Sequence, residues 1–249
     1  MTQTGSHLWV ANGCGDPLVE LATPSDSVVH LVNNAKLAYI TNLVAGPDQL
    51  WTLSSAYHSI NEIDSQSGAI IKTIDTKALG FQSPQSLAVA GNHLWTSNFT
   101  GHAIYEISTT SGALIRTINA PGDLFNDSAA MTISGSHLWV SNQGSASITE
   151  LNASNGSLVR VISARADQLR GAAIAVSGSI VWVANLRNSI TELNAATGAL
   201  VRVIKAKADR FNYPRDIVVS GSHVWVTNSS GNSITELNAA TGSLVRVIK

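Results

Sequence analysis

Residues 221–248 read GSHVWVTNSSGNSITELNAATGSLVRVI. The period in this stretch is two, not 3.6. His223 to Thr227, Ser233 to Leu237 and Leu244 to Ile248 are runs of about five residues rich in Val, Ile, Thr and Trp. Turn residues bound each one: Gly221-Ser222, Asn228 to Asn232, and Ala240-Thr241-Gly242. A further run, Asp216 to Ser220, precedes them. Four short strands joined by tight turns are the expectation, and no window long enough for an amphipathic helix escapes a Gly, Pro or Asn break.

The same unit recurs upstream. Tryptophan falls at positions 9, 51, 95, 139, 182 and 225, spaced 42, 44, 44, 43 and 43 residues apart, with none left over. Around these residues the chain reads GSHLWVAN, PDQLWTLS, GNHLWTSN, GSHLWVSN, GSIVWVAN and GSHVWVTN. Downstream blocks repeat as SITELNASNGSLVRVI (147–162), SITELNAATGALVRVI (189–204) and SITELNAATGSLVRVI (233–248). Four antiparallel strands in about 43 residues form the unit of a β-propeller. The predicted fold is therefore all-β, a propeller of six four-stranded blades in one domain, residues 1–249. Repeats are expected near 1–38, 39–82, 83–126, 127–169, 170–212 and 213–249. The opening MTQTGSHLWV aligns with Met131 to Val140 and supplies part of a first strand. A closed ring is the simplest reading; an open one would expose a blade face that demands a partner.

Composition excludes several classes. Fifteen Lys and Arg against sixteen Asp and Glu leave a net charge of −1, no field for gathering nucleic acid. No apolar run approaches eighteen residues, so no membrane-inserted helix is expected. A single cysteine, Cys14, makes neither an internal disulfide nor a multi-cysteine metal site. The chain as given opens without a signal peptide, and its compartment stays open. The sequence lacks G-x-S-x-G, H-E-x-x-H, a phosphate-binding Gly-rich loop and C-x-x-C.

The units resemble the YVTN-type repeats of bacterial β-propellers, with Trp in place of Tyr in Trp-Val-x-Asn at Trp9, Trp139, Trp182 and Trp225. The phrase NAATG before LVRVI is similar to repeats of quinoprotein dehydrogenase-like propellers. The resemblance implies a propeller fold and a bacterial protein of a kind often exported. Function does not follow from it, because such propellers serve unrelated purposes.

Each unit carries a glutamate in its third strand: Glu20, Glu62, Glu106, Glu150, Glu192 and Glu236. Ten residues after each lies His30, Lys72, Arg116, Arg160, Arg202 or Arg246. In a hairpin closed at NAATG that offset sets the pair opposite each other, and a salt-bridge ladder is expected in preference to a catalytic or metal-binding carboxylate ring. His7, His93, His137 and His223 each stand two residues before a repeated Trp. Recurrence at one repeat position reads as turn or packing chemistry.

Variation between units concentrates in the second-to-third loops and the connectors between blades, so binding residues are expected there, at the mouth of the central channel. The candidates are Tyr57, His58, Phe99, His102, Arg165, Arg170, Arg187, Phe211, Tyr213 and Arg215. Arginines beside aromatics can grip anions, sugars or planar ligands. His58 and His102 occupy matching places, where later units have Asn188 and Asn232, and are the one pair suited to acid–base or metal chemistry. No catalytic residue, metal or cofactor is expected. The expected function is a non-enzymatic, monomeric scaffold binding a protein, peptide or glycan. The alternatives are a streptogramin-lyase-like enzyme using rim histidine and glutamate with a divalent ion, and a quinone-cofactor dehydrogenase.

Overall fold

A computed structural model describes residues 1–249 except 5–6, 12–17, 23–24, 26, 47, 121, 123–124, 164–168 and 206–210. It is an all-β propeller of six four-stranded antiparallel sheets, each a meander in chain order. The blades span 2–32, 40–75, 84–118, 128–163, 171–204 and 214–248. A short 3-10 turn spans Ala35–Leu37, and among the described residues no helix is long or apolar enough to cross a membrane. The chain divides into two compact units, Met1–Ile118 with blades 1 to 3 and Asn119–Lys249 with blades 4 to 6.

Blade 6 shows how the repeat folds. Its strands are Pro214–Ser220, His223–Asn228, Ser233–Asn238 and Leu244–Ile248. The first strand begins two residues earlier than periodicity suggests. A register shift between Pro214 and Asp216 interrupts the alternation, and equivalent shifts follow Ile40, Ser128 and Gly171. A bulge hides a strand start because the inward and outward positions change places across it. In blade 1 the first strand is three residues, Thr2–Thr4, with Thr2 opposite Trp9.

The NAATG turn closes through its first residue. Asn238 Oδ1 accepts hydrogen bonds from the Ala240 and Thr241 amides, both at 3.0 Å, and from the Thr241 hydroxyl. Gly242 follows at φ +70, a left-handed conformation that a side chain opposes. Asp64, Asn152 and Asn194 organise the same turn in their blades.

Alternation sorts each blade into two faces. In blade 5, Ala184, Ile190 and Trp182 lie on the face that packs against Val224, Val226 and Leu237 of blade 6. Within the first unit, Trp51, Leu53 and Ile60 of blade 2 pack likewise with Leu94 and Ile107 of blade 3. Within each unit the tryptophan face of one blade thus covers the Val-, Leu- and Ile-rich face of the next. Burying side chains of this size contributes roughly 1.5–3 kcal/mol each. Residues preceding the first strands, Leu37, Phe81, Phe125, Leu169 and Phe211, are all buried. Phe81 stacks on Tyr105 with ring centroids 3.9 Å apart.

The asparagine of Trp-Val-x-Asn ties strands two and three. Asn142, Asn185 and Asn228 each donate from Nδ2 to a threonine hydroxyl in the next strand (Thr149, Thr191, Thr235), at 2.9 Å in all three blades. A buried amide without such a partner would cost about 1–3 kcal/mol, so the Asn and the Thr recur together.

Candidate functional site

The carboxylate row is structural. Each third-strand glutamate lies directly opposite the basic residue ten positions on, and a register shift follows it in every blade. All six glutamates are buried. The four histidines before the tryptophans, expected as turn or packing residues, take part too: their Nδ1 atoms sit 2.8 Å from Glu20 (His7), 2.5 Å from Glu106 (His93), 2.6 Å from Glu150 (His137) and 2.6 Å from Glu236 (His223). Sequence spacing offered a signal for this, since strand two pairs in register with strand three and sets His two residues from the Trp that faces Glu. Blade 1 differs, with Glu20 held between His7 and His30.

The cations also join neighbouring blades. Lys72 Nζ, 3.0 Å from Glu62, donates to the carbonyls of Thr109 and Thr110 in blade 3 at 2.6 and 2.9 Å. Arg202, 2.9 Å from Glu192, donates to the Ala240 carbonyl of blade 6 at 3.0 Å and to that of Thr241. Blade 5 carries Ile180, and blade 2 Gln49, where the other four carry histidine, and among the described residues Arg202 is the ion-pair partner of Glu192. Burial there pushes the carboxyl up to about 7, while Arg202 pulls it down.

The opposite end of each blade holds the second-to-third turn and the incoming connector. Backbone hydrogen bonds stitch these together: Phe99 N to Ser83 O, Gln143 N to Asp127 O, Leu186 N to Arg170 O and Ser229 N to Tyr213 O, at 2.9 to 3.1 Å. The sequence candidates therefore come together in groups rather than lying scattered over the loops.

In the second unit, Arg170 lies beside the turn that carries Arg187, and Asn188 Oδ1 accepts a hydrogen bond of 2.8 Å from Tyr213 N. Arg215 places its guanidinium 5.7 Å from the centre of the Tyr213 ring. Arg170, Arg187, Tyr213 and Arg215 are all exposed. Phe211 does not join them: it is buried with Trp182, Ile190 and Ile217. Arg165 lies outside the described residues.

In the first unit, Tyr57 and His58 are exposed on the turn of blade 2, His102 is exposed on that of blade 3, and Phe99 is half-buried. Ser55 Oγ links the two blades by donating to Pro84 O at 3.1 Å. Tyr39, which the sequence reading passed over, is exposed at the end of its connector with its ring 6.3 Å from that of Tyr57. Its signal was available, because Tyr39 and Tyr213 both stand one residue before a first strand.

His58 and His102 have positive φ, 50 and 48, as do Ala146, Asn188 and Asn232 at the same turn position. Asn and His are enriched in that left-handed conformation. Both histidines thus stand at a turn position that takes a left-handed residue in every blade where it is described. Among the described residues no three His, Cys, Asp or Glu side chains are grouped to hold a metal ion.

No family model matches the chain, and no curated protein matches it in sequence. Solved structures do match. A streptogramin B lyase structure aligns over 100% of this chain and 81% of its own, at 17% identity and a TM-score of 0.77. The nidogen/laminin complex aligns over 98% and 93%, at 13% identity and 0.75. The computationally designed Ika8 protein aligns over 99% and 72%, at 14% identity and 0.71. The fold is a β-propeller. At these identities the likeness extends to the fold alone, and it spans an enzyme and a binding complex.

Proposed function

We propose that this propeller is a binding module that recognises an acidic protein, peptide or glycan at the connector end of its blades. The observation that carries the reading is the group Arg170, Arg187, Tyr213 and Arg215, exposed and held together by backbone and Asn188 hydrogen bonds. Guanidinium groups pair with carboxylate or sulfate in two-pronged geometry, and an aromatic face beside them suits a sugar or a peptide side chain. The exposed Tyr39–Tyr57 pair supplies a comparable aromatic surface in the first unit. The Trp-Val-x-Asn strands and NAATG turns support grouping the chain with YVTN-type propellers, one domain of 249 residues in a closed or partner-completed ring.

The enzymatic alternative rests on His58 and His102, at turn positions that Asn188 and Asn232 fill elsewhere. The third-strand glutamates it would draw on are buried against His, Lys or Arg.

Calorimetric titration with a short poly-glutamate peptide and with a sulfated oligosaccharide tests the binding reading. The expected result is salt-sensitive binding of at least one probe, weakened roughly tenfold or more by Arg187→Ala with Arg215→Ala, about 1.4 kcal/mol or above. Equal binding by wild type and double variant, or no binding of either probe, would overturn it.

A further inference from the structure

Two positions recur at the connector end: the residue immediately before the first strand and the residue two before the third. In blade 5 they hold Arg170 and Arg187; in blade 2 they hold Tyr39 and Tyr57. Blade 2 has blades 1 and 3 of the same unit against its two faces. The two tyrosines are 48% and 52% exposed, with ring centroids 6.3 Å apart and ring planes tilted by 36°.

Tyr39 occupies this position at a cost. Its φ is +56, a left-handed conformation that a bulky side chain opposes. Asp127 stands at the equivalent place in blade 4 with φ +52, where its short polar side chain suits the backbone. Packing does not offset the strain at Tyr39, because half of the residue faces water. A strained backbone that presents an exposed ring is a feature of binding sites rather than of cores.

The neighbouring chain is built to hold the pair. Ser54, fully buried, donates from Oγ to the Ala38 carbonyl at 2.8 Å and accepts from Tyr57 N at 3.3 Å, so one hydroxyl ties the residue before Tyr39 to the turn that carries Tyr57. Asn61, also fully buried, donates to the Lys36 carbonyl at 3.1 Å and fixes the connector further back. Two residues from each ring stands a hydroxyl, Thr41 and Ser55, with their oxygens 3.2 Å apart. Thr41 Oγ1 donates to Leu53 O at 3.3 Å and Ser55 Oγ to Pro84 O at 3.1 Å. Their hydrogens are thus committed within the protein, and what they offer a ligand is lone pairs.

We propose that Tyr39 and Tyr57 form a stacking site for an uncharged saccharide, a chain of β-linked pyranoses with equatorial substituents. This inference rests on the reading of the connector end as the binding end, and it assigns the first unit a glycan. Such a sugar presents C–H groups on its faces, which meet the electron-rich face of an aromatic ring. Its hydroxyls supply the hydrogens that Thr41 and Ser55 can accept. A proline-rich peptide also stacks on tyrosine, but its prolines lack the N–H group and bring carbonyl acceptors to a site whose hydroxyls are already donating. The sole arginine of residues 1–118, Arg116, is paired with Glu106, so this site has none of the guanidinium chemistry of blade 5.

Calorimetric titration of the full chain with cellohexaose, chitohexaose and a proline-rich peptide tests the proposal. At least one saccharide is expected to bind, about tenfold or more weaker to Tyr39→Asn and to Tyr57→Ala. Tyr39→Asn is expected to melt at or above the wild-type temperature, because asparagine suits the left-handed backbone. No saccharide binding up to about 5 mM ligand overturns the proposal. So does undiminished binding by either variant, binding lost only together with thermal stability in both, or binding of the peptide in place of the saccharides. The poly-glutamate and sulfated probes report on Arg187 and Arg215 of the other unit, so either result can fail while the other stands.

Discussion

Replacing Glu192 by glutamine separates the two consequences of burying a carboxylate beside an arginine. Glu192 has Arg202 at 2.9 Å and, with Ile180 at the position that is histidine in four blades, no second partner of that kind among the described residues. Burial raises its carboxyl from 4.5 to about 7. Between those values the folded chain binds more protons than the unfolded one, so stability falls as pH rises from 4.5 to 7, and the loss is complete above it. A rise of ~2.5 units at about 1.4 kcal/mol each sets a ceiling of ~3.4 kcal/mol. Arg202 is one third exposed, and solvent screening of that half of the pair reduces the expected effect to ~1–2 kcal/mol. Glutamine keeps the shape and removes the charge. Glu192→Gln should therefore match the wild type near pH 4.5 and exceed it at pH 8, by about 2–8 °C in melting temperature for a chain of this size. The assay is thermal unfolding of both proteins across pH 4.5 to 8. A variant less stable than wild type at pH 8, with no pH dependence in the difference, would refute the reasoning.

Other substitutions probe other parts of the account. Glu150→Gln, which weakens contacts with both His137 and Arg160, should cost ~2–3 kcal/mol at pH 7 by chemical denaturation, because the Arg160 guanidinium and the His137 ring lose a charged acceptor. Phe211→Ala, emptying a buried site between Trp182 and Ile217, should cost ~3–5 kcal/mol and show as an earlier denaturation midpoint. His58→Asn should leave stability unchanged and His58→Val should lower it by ~1–2 kcal/mol, because the turn requires positive φ. In blade 5, a Cβ added at Gly171 would stand 2.4 Å from Ser141 Oγ and 2.6 Å from Val183 Cγ1. Gly171→Ala should cost ~1–3 kcal/mol in the same denaturation assay.

Much of the fold was legible because the repeat multiplies a weak signal. One tryptophan in a five-residue strand says little; six at a spacing of 42 to 44 define the unit, and the offset of ten between Glu and its cation sets the register of the outer hairpin. The start of the last blade's first strand escaped because a bulge at Pro214, of a kind also present at Ile40, Ser128 and Gly171, breaks alternation. The histidine partners of the glutamates were missed because a residue repeated beside a turn looks like scaffolding until the strand opposite it is in place. Site residues were only partly legible. Composition marks Tyr213 and Phe211 alike as aromatics in a connector, and only packing separates the exposed ring from the buried one.

The whole account depends on the tryptophan-marked repeats being equivalent blades, with each tryptophan face inside a unit covered by the blade that follows. Fluorine NMR of protein labelled with 5-fluorotryptophan, at low protein concentration and with a soluble quencher, reads the six positions separately. Quencher-insensitive resonances for Trp9, Trp51, Trp139 and Trp182, each assigned by its loss in the matching Phe variant, are the predicted result. A quencher-sensitive resonance that is lost in Trp51→Phe or in Trp182→Phe would contradict it.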